Sequence, residues 1–128
     1  MKRGGILHPA ISHLLASTGH TDYFTVCDRG FPVPIGSERI DLALVDGIPT
    51  IIDVLSAIQA EFVIDRIVVA EEAGTASPAY VRELRDLVAP VPVVTMPHLE
   101  LKHLSRDARA TIRTGDVTPY ANILIVSG

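Results

Sequence analysis

The chain has 128 residues, 48% of them apolar and 20% charged, with a formal net charge of −4. That is one domain's length with enough apolar side chain for a core, which excludes a disordered chain. The 11 Lys and Arg are scattered among 15 Asp and Glu, which leaves no basic face for nucleic acid, and no apolar stretch approaches the roughly 20 residues that span a bilayer.

In chain order, Pro9 suits the first turn of a helix that carries Ile11, Leu14 and Leu15 at helical spacing. Gly19 is placed to end it in a left-handed conformation. Tyr23 to Cys27 is β-branched and aromatic and reads as a strand. The segment from Asp28 to Gly36 holds two prolines and two glycines and must be a stiff loop. A second strand is expected over Arg39 to Val45. Thr50 and Asp53 have the spacing of a capping box, opening a helix to about Ala60.

Ile64 to Ala70 reads as a buried strand. Ser77 and Pro78 form an N-cap and first-turn pair for a helix to Val88. A strand over Val91 to Thr95, a helix from Pro97 to about Ala108 and a strand over Arg109 to Arg113 follow. A turn from Gly115 to Pro119 leads into a last strand, Asn122 to Val126. Helices and strands alternate, which argues for a single α/β domain: three layers, α/β/α, around a mixed and mostly parallel sheet.

Few residues offer chemistry. His20 follows the first helix, where the exposed carbonyls favour a cation, so it is placed to hold a proton. Lone histidines are more often plain surface residues. Asp28 stands where a strand ends, the end at which α/β sheets bind ligands; a turn aspartate bonding the backbone is the ordinary alternative. His98 begins a helix, whose N-terminal dipole disfavours an imidazolium and leaves a ring with one donor and one acceptor. Lys102 lies one turn further along the same face. Tyr120 and Asn122 are spaced to share one side of a strand entry, flanking Ala121.

Neither a phosphate-binding glycine loop nor an H-E-x-x-H pattern occurs, and the histidine pairs His8/His13 and His98/His103 are spaced five apart rather than three or four. Cys27 is the single cysteine. In the middle of a sheet it is expected to be a small apolar residue, and with no partner for a disulfide and no secretory signal it points to the cytoplasm.

Gly19-His20-Thr21-Asp22, Asp28, Phe31-Pro32-Val33-Pro34 and Ile40-Asp41-Leu42-Ala43-Leu44 resemble the first half of the D-ribose pyranases. His98-x-x-x-Lys102 and the run from Ile112 to Asn122, Ile-Arg-Thr-Gly-Asp-x-Thr-Pro-Tyr-Ala-Asn, resemble the second half. The related fucose mutarotases share the Gly-His and Tyr-x-Asn elements. The resemblance implies interconversion of the pyranose and furanose forms of D-ribose without cofactor or metal. It implies His20 as proton donor, with Asp28, His98, Lys102 and Tyr120-Ala121-Asn122 binding the sugar. It also implies a homo-oligomer, a decamer, whose sites are completed by a neighbouring subunit.

The chain departs from that family at Arg29, Phe31 and His8, and Arg29 is placed to act on Asp28 or on the sugar. A mutarotase for another monosaccharide such as fucose, or a sugar-binding regulator without catalysis, are the competing readings.

Overall fold

The computed structural model describes residues 1–128. Helix α1 (Pro9–Ser17) starts with proline in its first turn, where no N–H is needed, and turns Ile11 and Leu14 inward. Its end differs from expectation. Gly19 is not left-handed; Thr21 is, with φ of 69°. The reason lies in Asp22, whose carboxylate accepts the Gly19 N–H at 2.9 Å while its own N–H donates to the Gly19 carbonyl at 3.2 Å. That closed turn places the unusual backbone one residue after His20.

Strand β1 (Tyr23–Cys27) follows, and β2 (Arg39–Asp41) is shorter than expected. The chain turns back after Asp41: Leu44 N–H donates to the Ile48 carbonyl and Ile48 N–H to the Val45 carbonyl, around Gly47 with φ of 80°. Helix α2 (Ile51–Gln59) has the full capping box, with Thr50 Oγ1 accepting from Asp53 N–H and Asp53 accepting from Thr50 N–H. Strand β3 (Ile64–Ala70) has the expected bounds.

A short helix, α3 (Glu71–Ala76), precedes α4 (Pro78–Val88). Its six residues include Gly74 and bury only Ala73, so no apolar period betrayed it. Ser77 stands at the start of α4 but does not cap it: its hydroxyl donates to the Pro119 carbonyl at 2.8 Å. Strand β4 (Val93–Met96), helix α5 (His98–Ser105), β5 (Thr111–Arg113) and β6 (Ile123–Ser127) complete the order.

The six strands form one sheet in the order β2-β5-β1-β6-β3-β4. β6 runs antiparallel to both neighbours, and the other pairs are parallel. Strand residues alternate between two cores. Phe24, Val26, Ile67, Val69, Ile112, Ile123 and Ile125 pack under α1, α2 and α4. Val68, Leu124, Val126 and Cys27 face the other way, against Leu101 and Leu104 of α5 and Phe31 of the proline loop. The sheet is therefore covered on both faces, a three-layer α/β/α arrangement. No helix is long and apolar enough to cross a membrane.

Candidate functional site

The strand directions decide which residues meet. The carboxyl ends of β1, β2, β3, β4 and β5 and the amino end of β6 all lie at one edge of the sheet. Asp28 leaves β1 there, His98 follows β4, and Tyr120-Ala121-Asn122 enters β6.

Asn122 joins the first two. Its Oδ1 accepts the Asp28 N–H at 2.8 Å, and its Nδ2 lies 3.3 Å from His98 Nε2. Asp28 Oδ1 accepts the Gly30 N–H at 2.9 Å. That is the turn role weighed above, and it leaves the second carboxylate oxygen available. The His98 ring stands edge-on between two others, 5.1 Å from Tyr120 at 89° and 6.4 Å from Phe31 at 68°.

Burial holds the His98 imidazole below its ordinary value of 6.5, Lys102 adds to that, and Glu72 and Asp28 pull the other way. The direction is the one expected, and burial is a cause that the linear sequence did not reveal. Lys102 is half-buried on the same helix and close enough to bear on His98. Tyr120 is left-handed, with φ of 57°. Two non-glycine residues have positive φ: Tyr120, within this cluster, and Thr21, next to His20.

Ala121 is fully buried, and its carbonyl accepts the Tyr80 hydroxyl at 2.6 Å. Arg29 does not act on Asp28 as expected. Its guanidinium pairs with Asp46 at 2.8 Å, on the turn after β2, in an exposed pair that contributes little stability.

Three residues with no assigned role build the site. Glu72 accepts the backbone N–H of His98, 3.1 Å from each carboxylate oxygen, and so holds the start of α5. Two glutamates directly after a buried strand were the available signal. Asp116 is 3% exposed. It accepts the N–H of Ile51 at 2.9 Å and of Thr118 at 2.8 Å. Gly115 is required by close approach: a Cβ there would stand 2.3 Å from the Val45 carbonyl oxygen. These contacts fasten the segment before Tyr120 to the start of α2.

His20 is at the other edge. It precedes β1 while Asp28 follows it, and five strand residues span about 17 Å. Thr21 N–H donates to the Ser127 carbonyl at 3.1 Å, beside the far end of β6. The imidazole is exposed there. One chain therefore does not bring His20 to the other candidate residues. No three His, Cys, Asp or Glu side chains gather as metal ligands. Cys27 is buried, with its thiol pushed up to about 12, chiefly by desolvation, which removes it as a nucleophile.

Fold and edge together define a mixed α/β protein with a polar cluster at the strand carboxyl ends, the usual place for a small ligand. The chain belongs to the RbsD / FucU transport protein family, whose model matches residues 1–128. It is 44% identical to the D-ribose pyranase of Aliivibrio fischeri strain MJ11, over 100% of this chain and 98% of that one. It is also 44% identical to that of Geobacillus thermodenitrificans, over 100% and 97%. The structure of Bacillus subtilis RbsD complexed with D-ribose superposes with a TM-score of 0.95 at 36% identity, over 100% of this chain and 98% of that one. The fucose mutarotase of Streptococcus pneumoniae in complex with L-fucose shares the fold, with a TM-score of 0.74 at 20% identity over 95% and 93%.

Proposed function

We propose that this protein is a sugar isomerase that interconverts the pyranose and furanose forms of D-ribose. The observation that carries the reading is the joined set Asp28, Asn122 and His98, with Tyr120, at the ligand-binding edge of a chain related over its full length to D-ribose pyranases.

The reaction is acid–base chemistry. The bond between the anomeric carbon and the ring oxygen breaks as a proton arrives on that oxygen and another leaves the anomeric hydroxyl. Closure of the open aldehyde through the neighbouring hydroxyl gives the other ring size. No electron is transferred and no covalent enzyme intermediate is needed. A single placed acid–base group contributes roughly 10²–10⁴-fold, which suits a reaction that already proceeds in water.

In this reading Asp28, His98, Lys102 and the Tyr120-Ala121-Asn122 segment hold the sugar hydroxyls, and His20 supplies the proton. His98 is unsuited to that role, since burial favours its neutral ring. His20 lies about a strand's length away in its own chain, about 17 Å, so the reading requires the His20 of a second copy. A closed ring of like subunits presents one edge of each chain to the opposite edge of the next. The decamer implied by the family resemblance is such an assembly. The cytoplasm is the compartment that suits a single, buried, reduced cysteine.

Exchange NMR on D-ribose is the test. Added protein should accelerate pyranose–furanose exchange, and His20→Ala should abolish the acceleration. Acceleration that survives intact in His20→Ala would refute the assignment of His20. Absence of acceleration on ribose, with acceleration on another sugar of a panel, would reassign the substrate.

A further inference from the structure

We propose that Asn122 is a positioning residue that sets the tautomer of His98, so that the ring turns an Nδ1–H donor toward the sugar. The proposal rests on the ribose-binding reading above and adds to it a direction for one hydrogen bond.

Donor and acceptor types alone fix the tautomer. The backbone N–H of Asp28 can only donate, and it lies 2.8 Å from one end of the Asn122 amide. That end is therefore the oxygen. The other end is the NH₂, which carries only donors, and it lies 3.3 Å from His98 Nε2. Nε2 must then present its lone pair. A neutral imidazole has one N–H, so the proton resides on Nδ1. His98 Nδ1 bonds no other group of the chain and is not sealed from solvent.

Everything around the ring keeps it in that pose. Phe31 and Tyr120 stand against it on two sides. Glu72 holds its backbone N–H. The proton count is enforced as well, because an Nε2–H would point a hydrogen at the Asn122 NH₂, and two facing donors repel. His98 is thus a fixed donor rather than a proton carrier. A bound sugar must meet it with a lone pair of a hydroxyl or ring oxygen. That hydroxyl's own proton is then directed elsewhere, which orders the polyol in a way that a freely rotating acceptor would not.

The test reads the two imidazole nitrogens of His98 directly, by heteronuclear NMR on histidine-labelled, ligand-free protein, with His98→Gln to assign the signal. The wild type at neutral pH should show the proton on Nδ1. Asn122→Asp keeps an oxygen for the Asp28 N–H but replaces the NH₂ by an acceptor, so Nε2 should gain a proton. The ribose concentration that half-saturates exchange should rise about tenfold, the loss of one oriented hydrogen bond.

A wild-type ring protonated on Nε2 alone would overturn the proposal, as would a wild-type pattern unchanged in Asn122→Asp. The wild-type measurement stands even if that variant fails to fold, and Asn122→Ser then serves as the second variant, with loss of the single-tautomer signal expected. An Nδ1–H ring in a protein that leaves ribose exchange unaccelerated would sink the functional reading while leaving the tautomer assignment intact.

Discussion

The Asp116 carboxylate accepts the N–H of Ile51, 65 residues earlier in the chain, at 2.9 Å, and so adds a distant acceptor to the start of α2. Thr50 and Asp53 already satisfy each other's N–H groups there. Asp116 takes the next one, and its negative charge meets the positive end of the helix. Its second oxygen binds the Thr118 N–H, its own N–H donates to Thr114 Oγ1, and its carbonyl accepts the Arg29 N–H. The loop before Tyr120 and the loop after β1 are thereby tied to one helix.

Replacing Asp116 by alanine leaves two N–H groups without partners, that of Ile51 buried and that of Thr118 partly so. Each orphaned group costs about 1–3 kcal/mol, so Asp116→Ala should destabilise the fold by about 2–6 kcal/mol, and Asp116→Asn by less. Chemical denaturation of the two variants beside the wild type checks this. A midpoint unchanged in Asp116→Ala would show that the loop is held by other contacts.

Separation of His20 from the other candidate residues predicts complementation between two inactive chains. His20→Ala and Asp28→Ala proteins, unfolded and refolded together, should form mixed assemblies in which about a quarter of the sites take an intact His20 from one chain and an intact Asp28 from the next. Ribose exchange should return to about that fraction of wild type. If every site were built within one chain, the mixture would stay as inactive as its parts.

The shifted His98 imidazole gives a pH dependence of defined sign. Its folded value is depressed below 6.5, so the native state binds fewer protons than the unfolded chain. His98 therefore contributes stability that is fully present above 6.5 and is lost as pH falls from there through the folded value, levelling off below it. Lys102→Met removes a charge that lowers the value, so the midpoint should move up; Glu72→Gln removes one that raises it, so the midpoint should move down. Histidine-resolved NMR titration reads both shifts. Movement in the opposite direction would contradict the electrostatic account.

Cys27 should be inert in the native protein. With its thiol pushed up to about 12 and its side chain buried, almost no thiolate is present near neutral pH. Incubation with an aromatic disulfide reagent should label it only after denaturant is added. Rapid labelling of the folded protein would mean that the β1 end opens far more readily than its packing suggests.

Features that depend on neighbours three or four residues apart were legible in the sequence. Pro9 at the start of α1, the Thr50–Asp53 box of α2 and the bounds of β3 are of this kind. Their partners lie within one turn or within a run of like residues, so residue type and spacing suffice. Asp28, His98, Tyr120 and Asn122 were also legible as candidates, since polar groups at strand ends follow from the alternation of elements.

What the linear chain leaves undetermined is which ends coincide. Asp28 meets Asn122 across 94 residues, and His98 meets it across 24, because β6 runs against its neighbours and begins where they end. The same reversal sends His20 to the far edge, beside the end of β6. Gly19 yields its left-handed role to Thr21 because of the Asp22 carboxylate, Ser77 turns from its own helix to Pro119, and Arg29 turns to Asp46. Each outcome is a choice among polar partners. The winner is the one that the packed sheet brings within hydrogen-bond reach, and that distance exists only once the strands have been ordered.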